Sequence, residues 1–462
     1  MLVINPLAEI FIYKQPVDRG VDSFSTVIHL VGSFVPPLLY IPALTRLSGP
    51  LLIIDCGHAL VSVTLTHVTG VRNKMPIRVA IYGQGLVATH FVVGVERIKR
   101  GEVEPYGVPL ARFKLPYRIE DIEIVGSFDV DEAKVGKTLY EVAKEAVGDI
   151  LPVPETLRNI VVKRGIHLGS LRDLPFKAKG LEDETGSLKD AIEALVAELK
   201  KMSPDVVFNV INTEPAKAFN DVEALEKAIE AGEGVSASHA YAYATYLYAK
   251  DTGRKVTLVN VIPSPLARDD AVVKLYESVE SIVLGDDGAT GATPLTADLL
   301  EHLAERNRYV LSIAQFNIGG NTDFLSLTIP ERNKMKEETK SSIVKDILGY
   351  DAPHYIKPTG YLEPLGDKKF VAMHIWWKTF NGLEDELAVN MRINDSPALA
   401  GLMVDLARLG KILQDAGVKG TAYPVNAFFM KDPGPRGAKN IARIRAYYNL
   451  LDYLRKLGLE ID

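Results

Sequence analysis

The stretch that most constrains this chain is PIRVAIYGQGLVATHFVVGVERIKRG, residues 76–101. Ile77–Tyr82 is mostly apolar and β-branched, and it runs straight into Gly83-Gln84-Gly85-Leu86-Val87-Ala88 and then an apolar-periodic segment. A buried strand, a tight glycine turn and a helix are predicted in that order. Glycines at such a turn let the backbone come close to a bound group, and a helix N-terminus offers free N–H groups to an anion. Gly83, Gln84, Gly85, Leu86, Val87 and Ala88 are therefore candidates for holding a dinucleotide pyrophosphate. A lone G-x-G-x-x-A is a weak signal, but one placed between strand and helix is stronger.

A second strand, Ile122 to Phe128, ends in Asp129. A carboxylate there can accept hydrogen bonds from an adenosine ribose 2′-OH, which favours NAD over NADP. The alternative is that Asp129 only caps the next helix. Its distance from the glycines is about twice the usual twenty residues, so KRGEVEPYGVPLARFKLPYR is read as an inserted loop. SPDVVFNVINT and GRKVTLVNVIPSPLA supply further strands, and periodic segments at Leu188–Met202, Val222–Ala231 and His239–Asp251 supply helices. Strands alternating with helices predict an α/β fold with a doubly wound parallel sheet. Ligands sit at the carboxyl ends of such strands, which adds Asn212, Thr213, Pro263 and Ser264 to the cofactor candidates, while Asn260 falls one turn too early.

Composition narrows the partners. The chain has 462 residues and a formal net charge of −6, which argues against a broad nucleic-acid footprint. The single cysteine, Cys56, excludes an intramolecular disulfide framework and a Cys-cluster metal site, and fits a reducing cytoplasm. Glutamine is scarce beside Lys and Glu, which points to a heat-adapted source. No charged residue occurs from Ser23 to Thr45, but Pro36 and Pro37 in FVPPLLYIP argue against a membrane helix. Residues 1–74 are read as a dispensable or artefactual extension, with Met75 as a natural start. Intact residues 1–74 in the native protein would refute the artefact version.

The chemistry-bearing segments come later. ERNKMKEETKSS, residues 331–342, carries Arg332, Lys334, Lys336 and Lys340, of which Lys336 and Lys340 share one helix face. A solvated surface helix is the commoner meaning of such a run. LGDDGATGATPLTADLLEHLAERN reads as a strand end, a Gly/Thr-rich loop and a helix start. Backbone N–H groups with Thr290 and Thr293 could cradle a phosphate there, or the segment is an N-cap without ligand. PLGDKKFVAMHIWWKTF is a strand carrying Lys368 and Lys369, YPVNAFFMKDPGP reads as a strand ending in Lys431, and INDSPALAG opens an amphipathic helix with Asp395 near its cap.

In this order, the glycine loop, FDVD, GDDGATGAT, NIGGNTDFL, KEETKSS, GDKKFVA, NDSPALAG and FFMKDP resemble the inositol-phosphate synthases, and look most like their prokaryotic and archaeal branch. The resemblance runs from about Met75 to the C-terminus. It implies a Rossmann-type sheet plus an α+β catalytic and oligomerisation region with an open mixed sheet. The expected domains are an NAD-binding one over 75–285, a catalytic one over 286–394, and a helical segment over 395–462 returning to the first. The implied reaction converts D-glucose 6-phosphate into 1L-myo-inositol 1-phosphate by oxidation at C5, enolisation, internal aldol closure and reduction, with NAD regenerated.

By position, the resemblance makes Lys336, Lys340, Lys369 and Lys431 active-site lysines. Lys336 and Lys369 are assigned to proton transfer and oxyanion stabilisation, Lys340 and Lys431 to the phosphate. Asp287 would tune a lysine or relay protons, Thr290, Gly291 and Thr293 would form the phosphate loop, Asn321 and Asp323 would hold substrate hydroxyls, and Asp395 would lie near the nicotinamide. Arg332 and Lys334 would then face water. Leu86, Thr89 and His90 depart from the family's usual Asn and serines, and Thr290 and Ala292 stand where eukaryotic members carry Ser and Gln. A divalent cation (magnesium, manganese or zinc) near Asp287 and Asp323 is left open, and a homotetramer without membrane or nucleic-acid partners is implied. The rival reading is an NAD-dependent sugar-phosphate dehydrogenase that releases NADH.

Overall fold

The structure, a computed structural model, describes residues 75–461, except the side chains of 338–341, together with three strands ahead of them. Those strands, β1 (Glu9–Pro16), β2 (Phe24–Val31) and β3 (Val61–Leu65), form an antiparallel sheet in sequential order. Pro36 and Pro37 lie outside the described residues, so the membrane-helix reading meets no test there. Among the described residues, no helix is long and apolar enough to cross a membrane.

From Ile77 onward, strands alternate with helices. β4 (Ile77–Tyr82), β5 (Ile122–Asp129), β6 (Val162–Arg164), β7 (Val206–Asn209), β8 (Thr257–Asn260) and β9 (Ile282–Leu284) pair in parallel in the order β6-β5-β4-β7-β8-β9. The order reverses at β4 and β7, which opens a crevice at their carboxyl ends. The period of two along β4 divides the core. Ile77, Val79 and Ile81 pack on one face with Phe91 and Val92 of the helix Leu86–Lys99, while Ala80 and Tyr82 pack on the other with Leu195 and Tyr241. Helix Leu188–Met202 forms because its apolar residues recur at helical spacing and the Ser187 side chain accepts from Asp190 N.

The inserted loop is pinned rather than loose. Leu110 N donates to Asp405 Oδ2 at 2.7 Å, and the Tyr117 hydroxyl donates to Asp415 Oδ2 at 2.6 Å. Both acceptors belong to helix Asp395–Asp415, which packs on Leu86–Lys99 and on the sheet. Gly410 lets that helix approach, since a Cβ there would stand 3.1 Å from Val206 and 3.2 Å from Thr257.

A second sheet, β11-β10-β12-β13, is mixed: β10 (Tyr309–Gly319) runs parallel to β11 (His354–Tyr361) and antiparallel to β12 (Lys368–Lys378), which pairs antiparallel with β13 (Glu384–Asn394). Helices Thr293–Ala304 and Pro330–Leu348 cover one face, burying Leu300, Ile343 and Val344 against Ile313, Val371 and Ile375. The other face leaves Phe316, Tyr355 and Trp376 exposed.

One element differs from its expected type. YPVNAFF forms the helix Tyr423–Phe429, not a strand, with Pro424 at its first turn. Periodicity cannot separate helix from strand in so short an apolar run, and a proline at a helix start costs no hydrogen bond.

Candidate active site

The site is assembled where β9 ends. Asp286 is buried and accepts from Leu266 N, Ala267 N, Arg268 N and Asn260 Nδ2, so it welds the loop after β9 to the loop after β8. That frees the next residue for chemistry. Asp287 N donates to Ile262 O and Lys431 N donates to Asp287 O, which fixes the backbone on both sides. Asp287 Oδ1 then accepts from Lys336 Nζ and from Lys431 Nζ, each at 3.1 Å.

Each lysine comes from a different element. Lys336 lies on helix Pro330–Leu348, and its ammonium also stands 3.8 Å from Asp323 Oδ2. Lys369 is the second residue of β12, on its covered face, and pairs with Asp395 Oδ1 at 2.5 Å. Lys431 follows helix Tyr423–Phe429, where Met430 bridges to Gly288. Asp395 opens the helix Asp395–Asp415, and Asp323 sits on the short helix Thr322–Ser326, which the Asn321 side chain caps through Phe324 N.

Charge coupling pulls these groups apart. Burial alone would lower the pKa of Lys336, but Asp287, Asp323 and Asp395 outweigh it and hold the ammonium above the ordinary lysine range. Burial also lowers Lys431, and there the repulsion of Lys336 and Lys369 reinforces it against Asp287. Burial would raise Asp395, yet Lys369, then Lys431 and Lys336, hold it below the usual carboxylate range. One lysine is thus locked as a cation while its neighbour is eased toward neutrality.

Asp287, Thr290, Thr293, Asn321, Asp323, Lys336, Lys369, Asp395 and Lys431 line one narrow cleft with about 100 Å³ of free space. Gly291 does not line it but has φ +74°, and a Cβ there would stand 2.7 Å from Lys369 Nζ. Lys340 lies on the same helix as Lys336, with its side chain outside the described residues.

A larger cavity of about 730 Å³ adjoins the cleft, and Gly85, Leu86, Asn212, Asn321 and Thr322 line both. Gly83, Gln84 and Asp129 line the larger one, Val87 the cleft. Gly83 has φ +93°, and a Cβ there would come within 2.8 Å of the Ile211 backbone, while around Gly85 the space is open. This cradle and the helix N-terminus behind it fit a dinucleotide. Asp129 accepts from Gln84 N, Val130 N and Asp131 N, and Lys134 Nζ stands 3.2 Å away. It caps no helix. Ala88 is core, Thr213 lies behind the cleft wall with its hydroxyl on Asp323 Oδ1, and Pro263 and Ser264 are buried and line neither cavity. The Ser264 carbonyl instead accepts from Asn260 Nδ2.

Other site residues escape a reading of sequence. Asn317 lines the cleft, and alternation along β10 is the one signal that could have placed it inward. The Asp367 carboxylate accepts from Asn321 Nδ2, Ser396 N and Ser396 Oγ, so it ties together three separate segments of the site. His90 and Lys134 line the larger cavity. Arg332 requires a correction: it is buried, and its guanidinium donates to the carbonyls of Ser170, Thr213 and Arg172. Twelve residues of helix cannot announce that one arginine meets a loop 160 positions earlier. Among the described residues, His167, Glu182 and Asp183 cluster at metal-ligand spacing, but Glu182 accepts from the amides of His167 and Leu168, and Asp183 from Gly180 N.

Comparison with known proteins agrees with this geometry. The family model for myo-inositol-1-phosphate synthase matches residues 291–396, a stretch that begins within the Gly/Thr loop and holds Thr293, Lys336, Lys369 and Asp395. A solved myo-inositol-1-phosphate synthase-related protein from Thermotoga maritima is 55% identical and superposes with a TM-score of 0.78 over 84% of this chain and 100% of that one. An inositol-3-phosphate synthase from Mycobacterium tuberculosis is 27% identical over 79% of this chain and 94% of that protein. An inositol-3-phosphate synthase structure from Caenorhabditis elegans shares the fold, with a TM-score of 0.70 at 16% identity over 99% of this chain and 96% of that one. With the glycine cradle, the lysine-lined cleft beside it and a relative 55% identical whose solved chain is covered entirely, the chain belongs to the myo-inositol-1-phosphate synthase family.

Proposed function

We propose that this protein is an inositol-3-phosphate synthase that isomerises D-glucose 6-phosphate to 1L-myo-inositol 1-phosphate. The observation that carries the reading is the convergence of Lys336, Lys369 and Lys431 on one cleft that shares a wall with the dinucleotide cavity. A plain dehydrogenase needs a hydride acceptor and one base. Enolisation and ring closure also need fixed positive charge, for the phosphate dianion and for each oxyanion as it grows.

Gly83, Gly85 and the N-terminus of Leu86–Lys99 would hold the pyrophosphate of NAD, and Asp129 the adenosine ribose. NAD, when bound, supplies the acceptor for the C5 hydride and later its donor. The chain's own residues do the rest. Thr290 and Thr293, with the backbone around Gly291, bind the phosphate at the start of helix Thr293–Ala304, and Lys340 adds charge. Asn321 and Asp323 orient hydroxyls. Lys336, held as a cation by three carboxylates, stabilises developing oxyanions. Lys431 is the lysine eased toward neutrality, and it is the better proton carrier. This moves proton transfer from Lys336, where position alone put it, to Lys431, and leaves oxyanion stabilisation with Lys336. Lys369, braced by Asp395, faces the same atoms from β12.

The exposed face of the second sheet, with Phe316, Tyr355 and Trp376, would be buried against a second copy on the way to a homotetramer. Incubation with glucose 6-phosphate and NAD, with product identified by phosphorus NMR, tests the reading. Inositol phosphate is expected, and a parallel reaction in EDTA decides whether a divalent cation takes part. Accumulation of NADH with an oxidised sugar phosphate would establish a dehydrogenase instead.

A further inference from the structure

Arg332 sits one helical turn before Lys336, yet it points away from the cleft into the loops of the parallel-sheet half. Its guanidinium donates to Ser170 O at 2.8 Å, Thr213 O at 2.6 Å and Arg172 O at 3.0 Å. Glu214 and Asp173 offset its buried charge at longer range. A guanidinium whose two terminal nitrogens both donate to main-chain carbonyls is a fastener, because its planar fork fixes the loops that carry those oxygens.

The fastened loops are the ones that matter. Ser170 lines the dinucleotide cavity, and Asn212, next to Thr213, lines both cavities. From Thr213 the connections close on themselves. Its hydroxyl donates to Asp323 Oδ1 at 3.1 Å, Asp323 Oδ2 faces Lys336 Nζ at 3.8 Å, and one turn of helix leads back to Arg332. Displacing any member strains the others.

We infer that Arg332 is a positioning residue that couples the two cavities, so that a dinucleotide in one tightens the binding of a sugar phosphate in the other. The inference rests on the functional reading above for the identity of the ligands. Such coupling is reciprocal, and coupling of this kind is typically about fivefold to a hundredfold in affinity.

The test uses the full-length protein, NAD, and 5-deoxyglucose 6-phosphate, which has no C5 hydroxyl to oxidise. Calorimetric titration of each ligand, with and without saturation by the other, measures the coupling. In the wild type the dissociation constant for NAD should fall about fivefold or more when the analogue is present. In Arg332→Met, with an unchanged circular dichroism spectrum, the coupling should fall to near unity. Hydrogen exchange on the wild type gives a second readout that needs no variant. NAD alone should slow exchange in residues 330–348, and the analogue alone should slow it in 166–176. Binding of both ligands with coupling intact in folded Arg332→Met overturns this inference alone, as does absence of coupling or of cross-protection in the wild type. Failure of the wild type to bind either ligand overturns the functional reading, and this inference with it.

Discussion

Lys336, Lys431 and Lys369 face Asp287, Asp323 and Asp395 in one cleft, and the near balance of charge decides how each behaves. Asp287 is the shared counter-ion of two ammonium groups, so its removal should be felt by both. Without that carboxylate the charged form of each lysine is less favoured, and its pKa falls. Asp287→Asn should therefore move the alkaline limb of the pH–rate profile to lower pH, by about one unit or more. A limb that stays put or rises would remove Asp287 from the circuit. Lys369→Ala should lower turnover by about a hundredfold to a thousandfold while NAD binding, measured by calorimetry, persists. Lys336, Lys369, Lys431 and Asp287 were named through the resemblance of their short motifs to a known family, since the residues of 331–342 alone read as a solvated helix face. Arg332 and Asp367 were not, since their roles lie in partners that only the fold brings near.

Two turns, those carrying Gly83 and Gly291, decide the elements. Both have positive φ, which a residue with a Cβ adopts only at a cost. Gly83→Ala should weaken NAD binding at least tenfold and lower the melting temperature, because the new Cβ meets the main chain of Val210 and Ile211. Gly291→Ala should spare NAD binding and depress turnover, because its Cβ meets the Lys369 ammonium, the end of a flexible side chain that must leave its place. Equal effects of the two variants on NAD affinity would contradict this separation. At this scale most of the fold was readable: Ile77–Tyr82, Leu188–Met202 and Val222–Ala231 have the predicted limits, since periodicity, caps and glycines agree. Tyr423–Phe429 was misread because seven residues give too short a window for a period to show.

For the molecule as a whole, the parallel sheet carries the larger cavity, the second sheet and the Gly/Thr loop carry the charges, and helix Asp395–Asp415 belongs to both by starting at Asp395 and packing under Leu86–Lys99. Substituting Phe316 and Trp376 together with glutamate should shift sedimentation toward smaller species if the uncovered sheet face is an interface between copies. An unchanged sedimentation coefficient would leave that face without such a role. The central claim is that the redox cycle closes within the cleft, with the cofactor restored at the end of each turnover. The most direct measurement supplies NAD at a small fraction of the glucose 6-phosphate concentration and follows both product and NADH to completion. This account predicts full conversion to inositol phosphate with no lasting rise in NADH absorbance; a reaction that halts after one sugar phosphate per NAD, with NADH left in solution, would contradict it.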